Sequence, residues 1–340
     1  MARVVTFGEI MLRLAPEGNR RFAQAQVFGA TFGGGEANVA VSLANLGMDA
    51  AFVTRLPAHE IGQAAVNSLR QFGVDTSGIV RGGERVGVYF LEKGASQRPS
   101  KVIYDRAGSA IATAAPADFD WDALLAGADW FHFTGITPAL SDSAAGIVLD
   151  ALKTARAKGV PVSCDLNYRG NLWTREKAGE VMGAFMPFVD LCIANEEDAA
   201  DVFGIRAADS DVLRGEIDRE GYEQVARTLA DRFGFKRVAI TLRESISASD
   251  NNWAAMFFQG GKSFFSRKYP VHIVDRVGGG DSFAAALIHA ILQGLGPREG
   301  IEFAAAASCL KHSIEGDFNL VSVDEVRRLA GGDSSGRVRR

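Results

Sequence analysis

Cysteine is scarce: the 340 residues hold three, Cys164, Cys192 and Cys309. They are odd in number and far apart, with no CxxC pair, which argues against a disulfide framework and against a thiolate zinc site. Each lies in an apolar run and reads as a small buried hydrophobe. Histidine is nearly as rare and forms no HxH or HExxH spacing, so no catalytic zinc is expected; His132, inside Phe131-His132-Phe133, reads as a core or near-site histidine. No stretch reaches about 18 apolar residues without a charge or turn, so nothing is expected to span a membrane. The first residues run straight into a strand-like Arg3-Val4-Val5-Thr6-Phe7, with no signal-peptide core. A basic block is also missing: Lys+Arg total 37 against Asp+Glu 41, a net charge of −4. That makes a poor general nucleic-acid binder. The expectation is a soluble, cytoplasmic protein with neither nucleic acid nor membrane as a partner.

What is present is ordinary globular material, 47% hydrophobic and 23% charged, in a chain long enough to bury a large core. Short apolar runs at 4–11, 51–54, 130–134, 162–166, 191–194, 237–242 and 253–258 read as strands. Amphipathic stretches at 36–46, 61–72, 143–158, 176–185, 196–203, 221–232, 280–293, 298–313 and 323–329 read as helices. Gly47, Gly73, Gly159, Gly204 and Gly234 each follow such a stretch, where a left-handed cap favours glycine. The alternation predicts an α/β fold with helices on both faces of a sheet. Two segments, 22–32 and 86–105, show strand patterning without helices; the second reads as a hairpin. The expected organisation is a single domain over 1–330, with a small β lid drawn from about 12–32 and 84–108. The Gly/Ser/Arg-rich stretch 331–340 is expected to be a disordered tail.

Two glycine clusters carry chemistry. In the first, a β-branched run ends at Asp275, then Arg276-Val277-Gly278-Gly279-Gly280 leads to Asp281 at the start of an apolar-faced helix. Glycines at a helix start let backbone N–H groups approach an anion, and the helix dipole adds positive potential. A carboxylate beside a bound phosphate makes sense if it accepts a proton from an attacking hydroxyl while the phosphoryl group moves. The plainer alternative is a helix cap after a flexible turn. The second cluster is Gly33-Gly34-Gly35-Glu36-Ala37-Asn38, again before a helix. It reads as close backbone approach to a polar ligand, or as a tight turn. Neither cluster fits the dinucleotide pattern GxGxxG. Gly260-Gly261-Lys262-Ser263 mimics a P-loop, but Met256 stands where its first glycine belongs.

On these two clusters the sequence resembles the PfkB (ribokinase-like) carbohydrate kinases. Within them it looks most like the 2-keto-3-deoxygluconate kinases, on Gly8-Glu9-Ile10-Met11-Leu12-Arg13-Leu14, Tyr104-Asp105-Arg106, and Asp165-Leu166-Asn167-Tyr168-Arg169 with Leu172-Trp173 behind it. The resemblance implies a ribokinase-like doubly wound sheet with a small β lid. It also implies ATP-dependent phosphorylation of 2-keto-3-deoxygluconate at its C6 hydroxyl, giving 2-keto-3-deoxy-6-phosphogluconate. It assigns Asp281 as base, with Gly278, Gly279 and Gly280 as the anion-binding amides. ATP would contact Gly278, Gly280, Thr241, Arg243 and Ser308. Mg²⁺ would be held through water by Asn195 and Asp198. The substrate would meet Gly34, Glu36, Asn38, Tyr89, Tyr104, Arg106, Arg169 and Asp281. Two departures stand out. The usual Asp-Thr-Thr-Gly-Ala-Gly-Asp carries Arg276, Val277 and Gly279 here, which puts a monovalent-cation site in doubt, and Asp198 replaces the usual Glu of Asn-x-x-Glu.

Charge sharpens the substrate. A sugar acid carries a carboxylate, and a carboxylate held away from water favours the planar guanidinium over an ammonium. Arg106 and Arg169 are the candidates; either alone reads equally as a surface ion pair. A fructokinase or another neutral-sugar kinase is the alternative within the family, and a non-catalytic sugar-binding regulator the alternative outside it. A two-stranded lid with apolar Val88, Phe90 and Ile103 is marginal alone, so a homodimer packed through the lid is expected.

Overall fold

The first strand shows how the sheet is built. In β1 (Arg3–Phe7), Val5 and Phe7 enter one apolar cluster and Val4 enters another. Such two-sided burial is what a central parallel strand requires. The structure is a computed structural model that describes residues 1–195, 197–206, 219–333 and 335–336. After β1 come β2 (Met11–Pro16), β3 (Phe28–Gly33), α1 (Gly35–Asn45), β4 (Asp49–Leu56), α2 (Glu60–Arg70) and β5 (Ile79–Arg81). Then come β6 (Gly87–Glu92), β7 (Lys101–Asp105), α3 (Trp121–Leu124), β8 (Trp130–Thr134), α4 (Asp142–Lys158) and β9 (Val162–Asp165). Next are α5 (Arg175–Phe185), β10 (Leu191–Ala194), α6 (Asp198–Phe203), α7 (Arg219–Phe233), β11 (Arg237–Ser245) and β12 (Asp250–Gln259). The described chain ends with β13 (Lys262–Phe265), β14 (Tyr269–His272), α8 (Gly279–Leu292), α9 (Pro297–Lys311) and α10 (Val323–Ala330).

The main sheet runs β13-β12-β11-β10-β9-β8-β1-β4-β5, with β14 also on β12. From β11 to β5 every neighbouring pair is parallel. Beyond β11 the pairs turn antiparallel. Alternate residues sort the helices: Phe133, Cys164, Cys192 and Val238 pack with α4, α5 and α7, while Val4, Leu191 and Ala239 pack with α8 and α9. This is the doubly wound α/β architecture. All three cysteines are free thiols, and Cys164 and Cys192 sit in register on β9 and β10, fully buried.

Four strands leave the main sheet and form a second one, ordered β3-β2-β6-β7. The expected strand 4–11 is thereby corrected. It breaks after Phe7, because Gly8 lies against the Glu36 carboxyl and Glu9 turns inward to Arg106. From Met11 onward the chain belongs to the other sheet. The run before Asp275 is corrected too: the strand is β14, earlier than the β-branched residues suggest. Short β5 and β13 lie at sheet edges and carry too few residues to show a period. The helix expected at 196–203 is described from Asp198; Glu196 lies outside the described residues, as do 334 and 337–340 of the expected tail.

Candidate active site

The C-terminal ends of β9, β10 and β11, the start of α8 and the inner face of the second sheet enclose a cavity of about 430 Å³. An opening at the carboxyl edge of a parallel sheet is where such folds bind ligands. Asp281, in the first turn of α8, opens onto it. Asn38 on α1 donates from Nδ2 to Asp281 Oδ2 at 2.7 Å, and its own Oδ1 accepts from the Gly34 N–H at 3.2 Å. Burial raises the Asp281 carboxyl to about 6, the Asn38 bond pulls it down, Asp317 pushes it up, and Arg169 and Lys311 pull it down. At neutral pH it is therefore ionised and a stronger base than an exposed carboxylate.

The glycines differ in purpose. Gly278 has φ +83°, and a Cβ there would lie 2.0 Å from the Asp317 carbonyl oxygen. Gly280 has nothing within 4 Å of its would-be Cβ. It is open on the cavity side, and its missing side chain leaves room for a ligand. Gly279 donates back to the Arg276 carbonyl, a long 3.4 Å. Among the described residues, the Gly280 and Asp281 N–H groups have no acceptor, and free N–H groups at a helix start can receive an anion.

The second cluster is held by Glu36. Its Oε1 accepts from the Thr134 N–H, the Thr134 hydroxyl and the Thr137 hydroxyl at 3.0, 2.8 and 2.7 Å. Burial pushes its carboxyl up to about 7 against those donors. Glu36 thereby pins α1 to β8 while lining the cavity. Gly34 lies so close to the Glu9 carbonyl that a Cβ would sit 1.9 Å from it.

Beneath the second sheet lies an ionic network with little sequence signal. Arg13 pairs with Asp275 at 2.5 Å and with Asp317 at 2.8 Å, and Tyr89 donates its hydroxyl to Asp317 at 2.6 Å. The two carboxylates hold Arg13 firmly charged against its burial. Lys311, fully buried, donates to the Ile314 carbonyl at 3.1 Å. Tyr89 lines the cavity as expected, with its hydroxyl engaged by Asp317. Burial and that carboxylate both make the Tyr89 phenol harder to ionise. Arg13, Tyr89 and Tyr104 are register neighbours across β2, β6 and β7, so the glycine loop is tied directly to the second sheet.

Arg106 lines the cavity as expected, with part of its guanidinium engaged inside the fold. Its Nε and Nη2 both donate to Glu9 Oε2, and Ser109 donates to Glu9 Oε1 at 2.6 Å. Arg106 stacks over Tyr104 at 5.3 Å, and Nη1 and the second N–H of Nη2 are left for a ligand. Arg169 is different. Its one described hydrogen bond runs to the Tyr168 carbonyl at 2.8 Å, and it lines the cavity half-buried beside Asp281, Asp165 and Asp198.

Asp198 accepts from the Tyr168 and Asn195 N–H groups at 3.0 and 3.1 Å, and Asn195 Oδ1 accepts from Glu197 and Asp198. Both residues line the cavity, next to Asp165. Sequence reasoning misses Asp165 as a site residue, although its strand-end motif points there. Burial, then the charges of Asp198 and Asp281, raise its carboxyl well above the usual range. Burial likewise raises Asp198. Among the described residues no cluster of three or more His, Cys, Asp or Glu is arranged to hold a metal ion.

Thr241 and Arg243 also line the cavity, as do Trp253 and His312. Ser308 does not reach it. Fully buried on α9, it donates to the Gly279 carbonyl at 2.6 Å and shapes the loop from behind, which corrects its expected nucleotide contact.

The profile of the pfkB family carbohydrate kinases matches residues 1–319. A 2-dehydro-3-deoxygalactonokinase of Haloferax volcanii is 33% identical over 334 residues, 98% of each chain. A 2-dehydro-3-deoxygluconokinase of Thermoproteus tenax is 29% identical over 93% of this chain and 90% of its own. The crystal structure of a 2-dehydro-3-deoxygluconokinase of Thermotoga maritima superposes with a TM-score of 0.94 at 55% identity, over 97% of this chain and 98% of that one. The match from end to end, with both glycine clusters converging on one cavity, makes this chain a member of the pfkB family of carbohydrate kinases.

Proposed function

We propose that the enzyme uses ATP to phosphorylate the terminal C6 hydroxyl of 2-keto-3-deoxygluconate. The observation that carries this reading is the pairing of Asp281, oriented by Asn38, with the open amides of Gly280 and Asp281 at the start of α8. Asp281 accepts the hydroxyl proton, and those N–H groups face the oxygens of the transferred group as its charge shifts. Asn38 fixes which carboxylate oxygen is free. Gly280, without a side chain, leaves the space a phosphate would fill. Magnesium, when bound, would offset phosphate charge; Asp165 and Asp198, neighbouring carboxylates on the cavity wall, would hold it through bridging water.

Acid-sugar recognition rests on Arg169, with Arg106 Nη1 and the Tyr104 edge of β7 in support. The names of those three relatives, kinases of keto-deoxy sugar acids, support the same class. ATP use fits a cytoplasmic enzyme. The outer face of the second sheet suits a second copy of the chain. Leu14, Phe90 and Ile103 are register neighbours across it, Phe28 packs on Phe90, and Ile103 is 45% exposed.

A coupled ADP-release assay with 2-keto-3-deoxygluconate, its galacto epimer, fructose and ribose tests the reading. Turnover is expected on the keto-deoxy acids, with the highest kcat/KM on the gluco form. Higher kcat/KM on fructose or ribose overturns the substrate. Binding of sugar without ADP release in any condition overturns catalysis.

A further inference from the structure

Arg276 stands two residues ahead of Gly278, in the loop joining β14 to α8, and lines the active-site cavity. Its Nη2 donates to the Ala248 carbonyl at 3.2 Å, while its Nε is buried with no hydrogen-bond partner. Asp275, the adjacent carboxylate, is already bound by Arg13 and by the N–H groups of Val277 and Gly316. No described carboxylate forms an ion pair with Arg276. Arg243 enters the same side of the cavity from β11. Burial first, then the like charge of Arg243, make it harder for Arg276 to stay protonated.

Two guanidiniums on one wall, one with a buried unmatched N–H, form a site that an anion would complete. Arg276 and Arg243 both lie in the field of His312, on which Trp253 packs, whereas Arg169 lies in the field of Asp165, Asp198 and Asp281, so the anion there is distinct from a sugar carboxylate at Arg169. The wall is also continuous with the glycine loop. We propose that Arg276, together with Arg243, grips the phosphates of the nucleotide that are not transferred, while the start of α8 holds the one that is. This rests on the kinase reading above and adds a residue to it. Arg276 is then a nucleotide-binding residue that discriminates by phosphate number.

The test is a ladder of adenosine, AMP, ADP and the β,γ-imido analogue of ATP, titrated by calorimetry with magnesium and without sugar. The wild-type protein is compared with Arg276→Ala and Arg276→Lys, all checked for unchanged thermal melting. Wild-type affinity is expected to rise along the ladder. Arg276→Ala is expected to lose about ten- to a hundredfold on ADP and the ATP analogue and nothing on adenosine. Arg276→Lys should recover part of the loss, as a point charge without the planar fork. Equal loss on adenosine and ADP, or an unchanged ladder, overturns the inference and leaves the kinase reading standing. So does a rise confined to the KM of the sugar acid. A wild-type ladder that does not rise with phosphate number overturns both.

Discussion

Asn38 and Asp281 are 243 residues apart in sequence and 2.7 Å apart in the structure, amide nitrogen to carboxylate oxygen. The bond favours the ionised carboxylate, opposing the burial that lifts it to about 6. Removing it with Asn38→Ala should therefore raise the Asp281 pKa further. The acid limb of kcat/KM against pH is expected near pH 6 in the wild type and at higher pH in the variant. An acid limb that stays put or moves down would falsify the assignment of Asp281 as the titrating base.

Asp281→Asn separates chemistry from folding. Loss of the base should lower kcat by about a hundred- to ten-thousandfold while nucleotide still binds. Stability should move the other way. The carboxyl titrates at about 6 in the fold and near 4 when unfolded, so the folded state disfavours its charge. That cost grows between about pH 4 and pH 6 and is complete above it, worth up to about 3 kcal/mol. The variant should melt at higher temperature than wild type at pH 7 and equally at pH 4. A lower melting temperature at pH 7 would contradict the raised carboxyl.

Two glycines of the same loop should fail in different ways. At Gly280 a methyl group meets nothing within 4 Å, so Gly280→Ala should melt like wild type yet raise the KM for ATP or lower kcat. At Gly278 the same change meets the Asp317 carbonyl at a positive φ, so Gly278→Ala should lose stability first. Paired melting curves and kinetics decide it. A Gly280→Ala enzyme with wild-type kinetics would show that no ligand approaches that face.

Much of this molecule is legible in its sequence, and what is not shares a cause. Helix ends are readable because glycine there answers a local demand: Gly47, Gly73, Gly159, Gly204 and Gly234 all take positive φ. The parallel sheet is readable from runs buried on both faces. The break after Phe7 is not, because apolar residues continue through Ile10 and Met11 while the chain changes sheets. At the site, the glycine loop announces itself locally, because glycines at a helix start leave a signal in the sequence itself. The partners of Arg13, Tyr89 and Arg106 do not. Asp317 lies 304 residues from Arg13, and Glu9 lies 97 from Arg106, so only tertiary contact reveals that these polar groups are already engaged.

That engagement separates two arginines that read alike in the sequence. Arg106→Ala would strip Glu9 of its partner inside the fold, where an unmatched charge costs about 3–5 kcal/mol, so it should melt early. Arg169→Ala removes a half-buried group bonded to a neighbouring carbonyl, and the fold should tolerate it. Its effect should fall on the KM for the keto-deoxy acid far more than on that for ATP. Equal effects on both substrates would count against carboxylate recognition by Arg169.

The outer face of the second sheet gives the last prediction. Leu14, Phe90 and Ile103 sit side by side across three strands, and a lone sheet of this size with one apolar face open to water is weakly stable. Pairing with a second copy would cover it and brace the inner face, where Tyr89 and Tyr104 line the cavity and Arg13 pairs with Asp275 and Asp317. Phe90→Asp places a charge at the centre of that patch. Sedimentation should find the wild type dimeric at micromolar concentration and the variant monomeric, with a raised KM for the sugar acid because Tyr104 loses its support. A monomeric wild type, or a Phe90→Asp protein that remains dimeric, places the contact elsewhere or removes it.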